Sequence, residues 1–118
     1  MRRGHPQEEL VKCFAAKYFG NYELIKGDIL ETVPRYANEH KELKIVLLHI
    51  DVDMYAPSRV ILEQLFDRIV PGGLLVLDDY GTVYGETKAV DEFLKKNGLA
   101  LRLEKLPFYK IPVFLVKK

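Results

Sequence analysis

The stretch Lys44-Ile-Val-Leu-Leu-His-Ile50 is almost unbroken in apolar residues, part of them β-branched, and runs straight into Asp51-Val52-Asp53. Such a run reads as a strand covered on both faces, as in a parallel sheet. A second run of the same kind, Leu74 to Leu77, ends in Asp78-Asp79-Tyr80-Gly81. Between the two, Pro57 opens a helical stripe from about Ser58 to Ile69, with Leu62, Leu65, Phe66 and Ile69 on one face, and Pro71-Gly72-Gly73 closes it. One strand-helix-strand crossover therefore joins them, and the two strands are expected to be parallel neighbours.

The flanking segments fit a layered α/β domain. Leu10, Val11, Phe14 and Tyr18 share a face of a helix from Pro6 to Tyr18, which Gly20-Asn21 breaks. Tyr22 to Lys26 reads as a short strand. Asp28 can cap a helix starting at Ile29, which Pro34 should keep short or kinked. Glu86 to Lys96 is a helix through Ala89, Val90, Phe93 and Leu94, ended by Asn97-Gly98. Leu99 to Leu106 and Tyr109 to Lys117 lie too close for a crossover helix, so an antiparallel hairpin is predicted, with Pro112 at a strand start or edge. The expectation is one α/β domain over 1–118, with a mainly parallel sheet of about five strands and a C-terminal hairpin.

Composition narrows the partners. Eighteen Lys plus Arg against seventeen Asp plus Glu leaves +1, so no global field draws the chain to nucleic acid or an anionic membrane. The single cysteine, Cys13, excludes an internal disulfide and a cysteine-based metal site. No apolar run approaches the roughly 20 residues needed to span a bilayer. The start turns acidic where a signal peptide needs an apolar stretch, so a cytoplasmic location is expected.

The acids carry the chemistry. In an open parallel sheet, ligands gather beyond the carboxyl ends of the strands, and there Asp51, Asp53, Asp78 and Asp79 should share one crevice. Repulsion at that range implies a cation, shared protons, or both. Hard oxygen ligands suit Mg²⁺, Mn²⁺ or Ca²⁺ rather than zinc. Taken singly, Asp53 or Asp79 is also the kind of residue that caps the next helix. His49 alternates with core positions and is expected to be structural, while His5 and His40 form no ligand set.

Leu48-His-Ile-Asp-Val-Asp-Met-Tyr-Ala-Pro-Ser58, Val70-Pro-Gly-Gly-Leu-Leu-Val-Leu-Asp-Asp-Tyr-Gly81 and Lys88-Ala-Val-Asp-Glu-Phe93 together resemble the macrocin O-methyltransferases (TylF type), and Lys26-Gly-Asp-Ile-Leu-Glu-Thr-Val-Pro34 is similar to that family's segment after its third strand. The resemblance implies a Rossmann-like class I methyltransferase fold. It also implies S-adenosylmethionine as methyl donor, a divalent cation such as Mg²⁺, and a sugar or related hydroxyl as acceptor. Asp51, Asp78 and Asp79 would then be the metal ligands, Asp53 the general base, and Asp28 a residue near the cofactor's adenine. Tyr80 would line the acceptor pocket or simply pack.

The resemblance covers the family's C-terminal half. The family's first strand and Gly-rich turn, and its acid for the ribose, have no counterpart here, since Gly4 and Gly20 sit in no Gly-x-Gly pattern after a strand. The chain alone is thus expected to be a partial or degenerate domain that binds S-adenosylmethionine weakly or not at all, and is inactive by itself. An apolar strand edge is left uncovered in that case, to be met by Tyr22–Lys26 or by a second copy in a homodimer. Two other readings compete. A haloacid-dehalogenase-type phosphatase fails because the stretch between Asp53 and Asp78 is too short for the intervening phosphate-binding strands. A non-catalytic α/β domain acting through self-association or partner binding is the stronger rival.

Overall fold

The chain's second apolar run forms the centre of the sheet. The computed structural model describes residues 20–99, 103–107 and 112–118, so the helix read at Pro6–Tyr18, with Cys13, lies outside the described residues. The described elements are α1 (Ile29–Glu39), β1 (Ile45–Ile50), α2 (Tyr55–Leu65), a 3-10 turn (Phe66–Arg68), β2 (Ile69–Leu77), α3 (Tyr84–Lys96), β3 (Glu104–Lys105) and β4 (Val113–Val116). The sheet order is β1-β2-β4-β3.

β1 and β2 are parallel neighbours through the α2 crossover, as the sequence implies. β2 and β4 are antiparallel, as are β4 and β3. Two expectations are corrected. The described sheet has four strands and is mixed rather than mainly parallel, and Tyr22–Lys26 joins no ladder. The physical reason is the tail hairpin. It folds back so that β4 pairs beside β2, occupying the second edge of the central strand.

Pro71-Gly72-Gly73 is a third correction: it lies inside β2 rather than ending a helix. Ile45 pairs with Ile69 but Leu47 with Leu74, so two steps along β1 correspond to five along β2. Proline has no ladder donor, and the chain bulges around it. Gly72 N–H donates to the Lys117 carbonyl at 2.6 Å, and Lys117 N–H donates to the Gly73 carbonyl at 2.9 Å, which restores pairing past the bulge. A Cβ on Gly73 would sit 2.9 Å from both the Val46 and Val70 carbonyl oxygens, so only glycine lets the two strands close there.

The helices follow from local chemistry. Asp28 caps α1, its Oδ1 accepting from Leu30 N–H at 2.9 Å. Pro34 is tolerated inside α1, which runs on to Glu39. Arg68 donates to the carbonyls of His40 at 2.7 Å and Ala37 at 3.0 Å, so a cation closes the C-terminal end of α1 and ties it to the crossover. Pro57 lies in the first turn of α2, where its missing N–H costs nothing.

Ile50, Leu62, Phe66, Ile69, Leu75, Leu77, Val90, Leu94 and Leu115 form the core between the sheet and the helices α2 and α3. β1 departs from full burial: Val46 is 72% and Leu47 54% exposed. Among the described residues it is an edge strand. No described helix is long and apolar enough to cross a membrane.

Two substitutions test this architecture by urea unfolding. Leu77→Ala should cost about 2–5 kcal/mol, as a fully buried leucine does. Gly73→Ala should cost about 1–3 kcal/mol, because neither carbonyl that the methyl meets belongs to a flexible side chain. Wild-type stability in the Gly73 variant would contradict the close approach of β1 and β2.

Candidate metal and acceptor site

The parallel ladder places the acids. Asp78 N–H donates to the Ile50 carbonyl at 3.1 Å, extending β1–β2 pairing one residue past β2. Asp51 leaves β1 directly opposite. Val52 and Met54 then close a tight turn, Met54 N–H reaching the Val52 carbonyl at 2.6 Å. Asp53, between them, takes a left-handed backbone with φ of 59°. A non-glycine residue in that region is uncommon, and Asp is among the few that tolerate it.

Carboxylate oxygens of Asp51, Asp78 and Asp79 lie within 4.8 Å of one another. Oxygens bound to one hard divalent ion at roughly 2.0–2.6 Å can stand up to about 5 Å apart, so these three fit a single cation. Every donor is an oxygen, as Mg²⁺, Mn²⁺ or Ca²⁺ prefers. The sequence's proposed metal ligands are therefore brought together. Asp53 joins Asp79 and Glu86 in a second group with the same 4.8 Å limit. Asp79 belongs to both.

In the sequence Glu86 is only the first residue of a predicted helix. In the fold it is fully buried. Its Oε2 accepts from the Asp79 N–H at 3.0 Å, while its buried Oε1 has no hydrogen-bond partner. An unsatisfied buried acceptor costs roughly 1–3 kcal/mol. Gly85 makes the approach possible: a Cβ there would lie 2.8 Å from Tyr55 N and 3.0 Å from the Asp53 carbonyl. No sequence pattern could signal this, because the packing of α3 on the β1–α2 turn is a tertiary fact.

Crowding shifts the protons. Asp79 is pushed up to about 7, first by hydrogen bonding with Asp53, then by burial, by a hydrogen bond with Asp51, and by the charges of Asp53 and Asp78. Burial pushes Glu86 up, the backbone amides of Asp79 and Val52 opposing this and the charges of Asp53 and Asp51 adding to it, although only the Asp79 amide reaches it in full hydrogen-bond geometry. No lysine or arginine is hydrogen-bonded to these acids among the described residues. His49 Nε2 lies within hydrogen-bond distance of Asp78 Oδ1, at 3.3 Å, both side chains about half exposed. This corrects the structural reading of His49: on an edge strand its face is open, and it borders the site.

The remaining candidates are placed as follows. Asp28 Oδ1 is engaged as the cap of α1, and the residue belongs to neither acid group. Tyr80 packs against the core and gives its hydroxyl to Asp91. Its hydroxyl is pushed up to about 12, by burial first and then by that bond. A cavity of about 420 Å³ between α2 and α3 has Tyr55, Arg59, Glu63, Glu92 and Lys96 on its walls, but none of the clustered acids. On its walls Arg59 donates to Glu63 and the Tyr55 hydroxyl to Glu92.

Comparison with known proteins gives these acids a context. The family model described as macrocin O-methyltransferase (TylF) matches residues 17–111. No curated protein sequence matches the chain. Among solved structures, the fold is similar to that of CalS11, described as a TDP-rhamnose 3'-O-methyltransferase of calicheamicin biosynthesis (TM-score 0.75, 27% identity, 93% of this chain and 50% of that one). It is also similar in fold to the O-methyltransferase NovP (TM-score 0.76, 22% identity, 94% and 44%). The methyltransferase MycE, solved with Mg, SAH and mycinamycin VI, is a further likeness in fold (TM-score 0.54, 22% identity, 79% and 31%). The chain spans half or less of the length of each of these structures.

The acid cluster predicts a pH dependence for the metal-free protein. Asp79 titrates at about 7 in the fold against an ordinary 3.8, so folding favours its protonated form. That contribution is complete below about pH 4 and is lost as pH rises toward 7. The melting temperature should therefore fall across this window, and Asp79→Asn should flatten the fall. A wild-type curve whose Asp79-dependent part rises with pH would contradict the geometry.

Proposed function

Because the chain belongs to the macrocin O-methyltransferase (TylF) family, we propose that it carries the metal-binding and acceptor-activating part of a divalent-cation-dependent O-methyltransferase acting on a sugar or natural-product hydroxyl. The observation that carries this reading is the convergence of Asp51, Asp78 and Asp79 oxygens within 4.8 Å at the ends of two adjacent parallel strands. These three residues would hold the cation. A bound divalent ion there lowers the pKa of a coordinated hydroxyl and orients it.

Asp53 supplies the base. Its left-handed turn aims a carboxylate at the edge of the cluster, where it takes the proton of the acceptor hydroxyl. The hydrogen bonding between Asp53 and Asp79 offers that proton a neighbouring carboxylate. His49, half exposed beside Asp78, borders the open side through which an acceptor would enter. The methyl donor is S-adenosylmethionine in this reading, as the family implies. The described residues contain no Gly-x-Gly turn after a strand to hold its amino-acid end, while Asp28, whose Oδ1 caps α1, is the residue proposed near its adenine. We therefore propose that this chain alone binds the donor weakly.

A second proposal concerns assembly. β1 pairs on one side only among the described residues, with Val46 and Leu47 exposed on it. An open apolar edge is a template for another strand, and a second copy of the chain is the occupant proposed.

Calorimetric titration with Mg²⁺ or Mn²⁺ tests the metal reading. Asp78→Asn should weaken affinity at least tenfold, while Lys88→Ala on α3 should leave it unchanged. Equal affinity in wild type and Asp78→Asn would reject the site. For assembly, sedimentation should give a concentration-dependent dimer that Val46→Lys converts to monomer; a wild-type monomer at all concentrations would reject it.

A further inference from the structure

Glu86 is the group that the proposed single-cation site leaves unexplained. It is fully buried, yet one of its two oxygens finds no partner. The side chain is directed into a group, with oxygens of Asp53, Asp79 and Glu86 mutually within 4.8 Å. That spacing fits one hard cation as well as the outer group does.

Charge points the same way. The two groups together contain five carboxylates, counting Asp79 once. One divalent ion leaves a formal surplus of three negative charges, and two ions leave one. We propose that Asp53, Asp79 and Glu86 form a second, inner divalent-cation subsite that shares Asp79 with the outer one. The inner ion accepts the unpaired Glu86 oxygen as a ligand. It also clamps the first turn of α3 to the β1–α2 turn, where Gly85 already brings the backbones together. Asp53 gives one oxygen to this ion and keeps the other for the acceptor. The subsite does not depend on the outer one being occupied.

Counting bound Mn²⁺ on the intact chain tests the inference. The count comes from equilibrium dialysis, and electron paramagnetic resonance reports whether two ions are coupled. Wild type should bind two ions. Ions bridged by one carboxylate sit roughly 3.5–4 Å apart, close enough for spin coupling in place of the isolated six-line spectrum. Glu86→Gln keeps the shape and should bind one ion with an uncoupled spectrum and outer affinity within about threefold. Asp78→Asn should also bind one, at the inner subsite. If wild type binds one ion, Glu86→Gln binds one and Asp78→Asn binds none, the inner subsite is overturned and the outer reading stands. If wild type binds one, Glu86→Gln none and Asp78→Asn one, the inner subsite stands and the outer reading fails. No binding by wild type overturns both.

Discussion

Everything at the functional end of this molecule hangs on the parallel ladder between β1 and β2. Its last bond, from Asp78 N–H to the Ile50 carbonyl, lies just beyond the apolar strands and just before the acids diverge. The ladder is held by burial of Ile50, Leu75 and Leu77 under α2 and α3. Burying side chains of that size is worth roughly 1.5–3 kcal/mol each. Such a core can hold together carboxylates that would otherwise separate. The carboxylates are thus held closer together than their charges favour by the fold that positions them.

The fold manages the repulsion in three visible ways. Asp53 is turned into a left-handed conformation that keeps it in the cluster without lying on the strand axis. Asp79 holds its proton to about neutral pH. Glu86 anchors the Asp79 amide from below. Each device costs something: a strained backbone, a displaced protonation equilibrium, a buried oxygen without a donor. The costs fall on residues that touch one another, so a ligand that relieves one relieves the others. That coupling is what the proposed cation site draws on.

Much of this was legible before the coordinates. Two apolar runs ending in Asp51-Val52-Asp53 and Asp78-Asp79, separated by one helical stripe, specify parallel neighbours with convergent acids, and the family likeness rests on the same residues. Three things were hidden. Pro71-Gly72-Gly73 carries the residues of a helix stop, yet it is a bulge, because only the approach of the Val46 carbonyl and the pairing with Lys117 reveal its role. His49 alternates like a core residue, and only the edge position of β1 exposes it. Tyr22–Lys26 has strand-like residues but forms no ladder in the described sheet.

By itself, the sequence determined which residues could do the chemistry, since the order of apolar runs, helix and acids leaves few ways to arrange adjacent strands. Tertiary structure alone decided that Glu86 belongs among them, that β4 rather than a parallel strand lies beside β2, and that β1 is open. The reason is the range over which each is set. Strand ends and helix stripes are written in consecutive residues. The approach of α3 through Gly85 and the return of the tail to β2 depend on contacts between segments far apart in the chain, which no local pattern encodes.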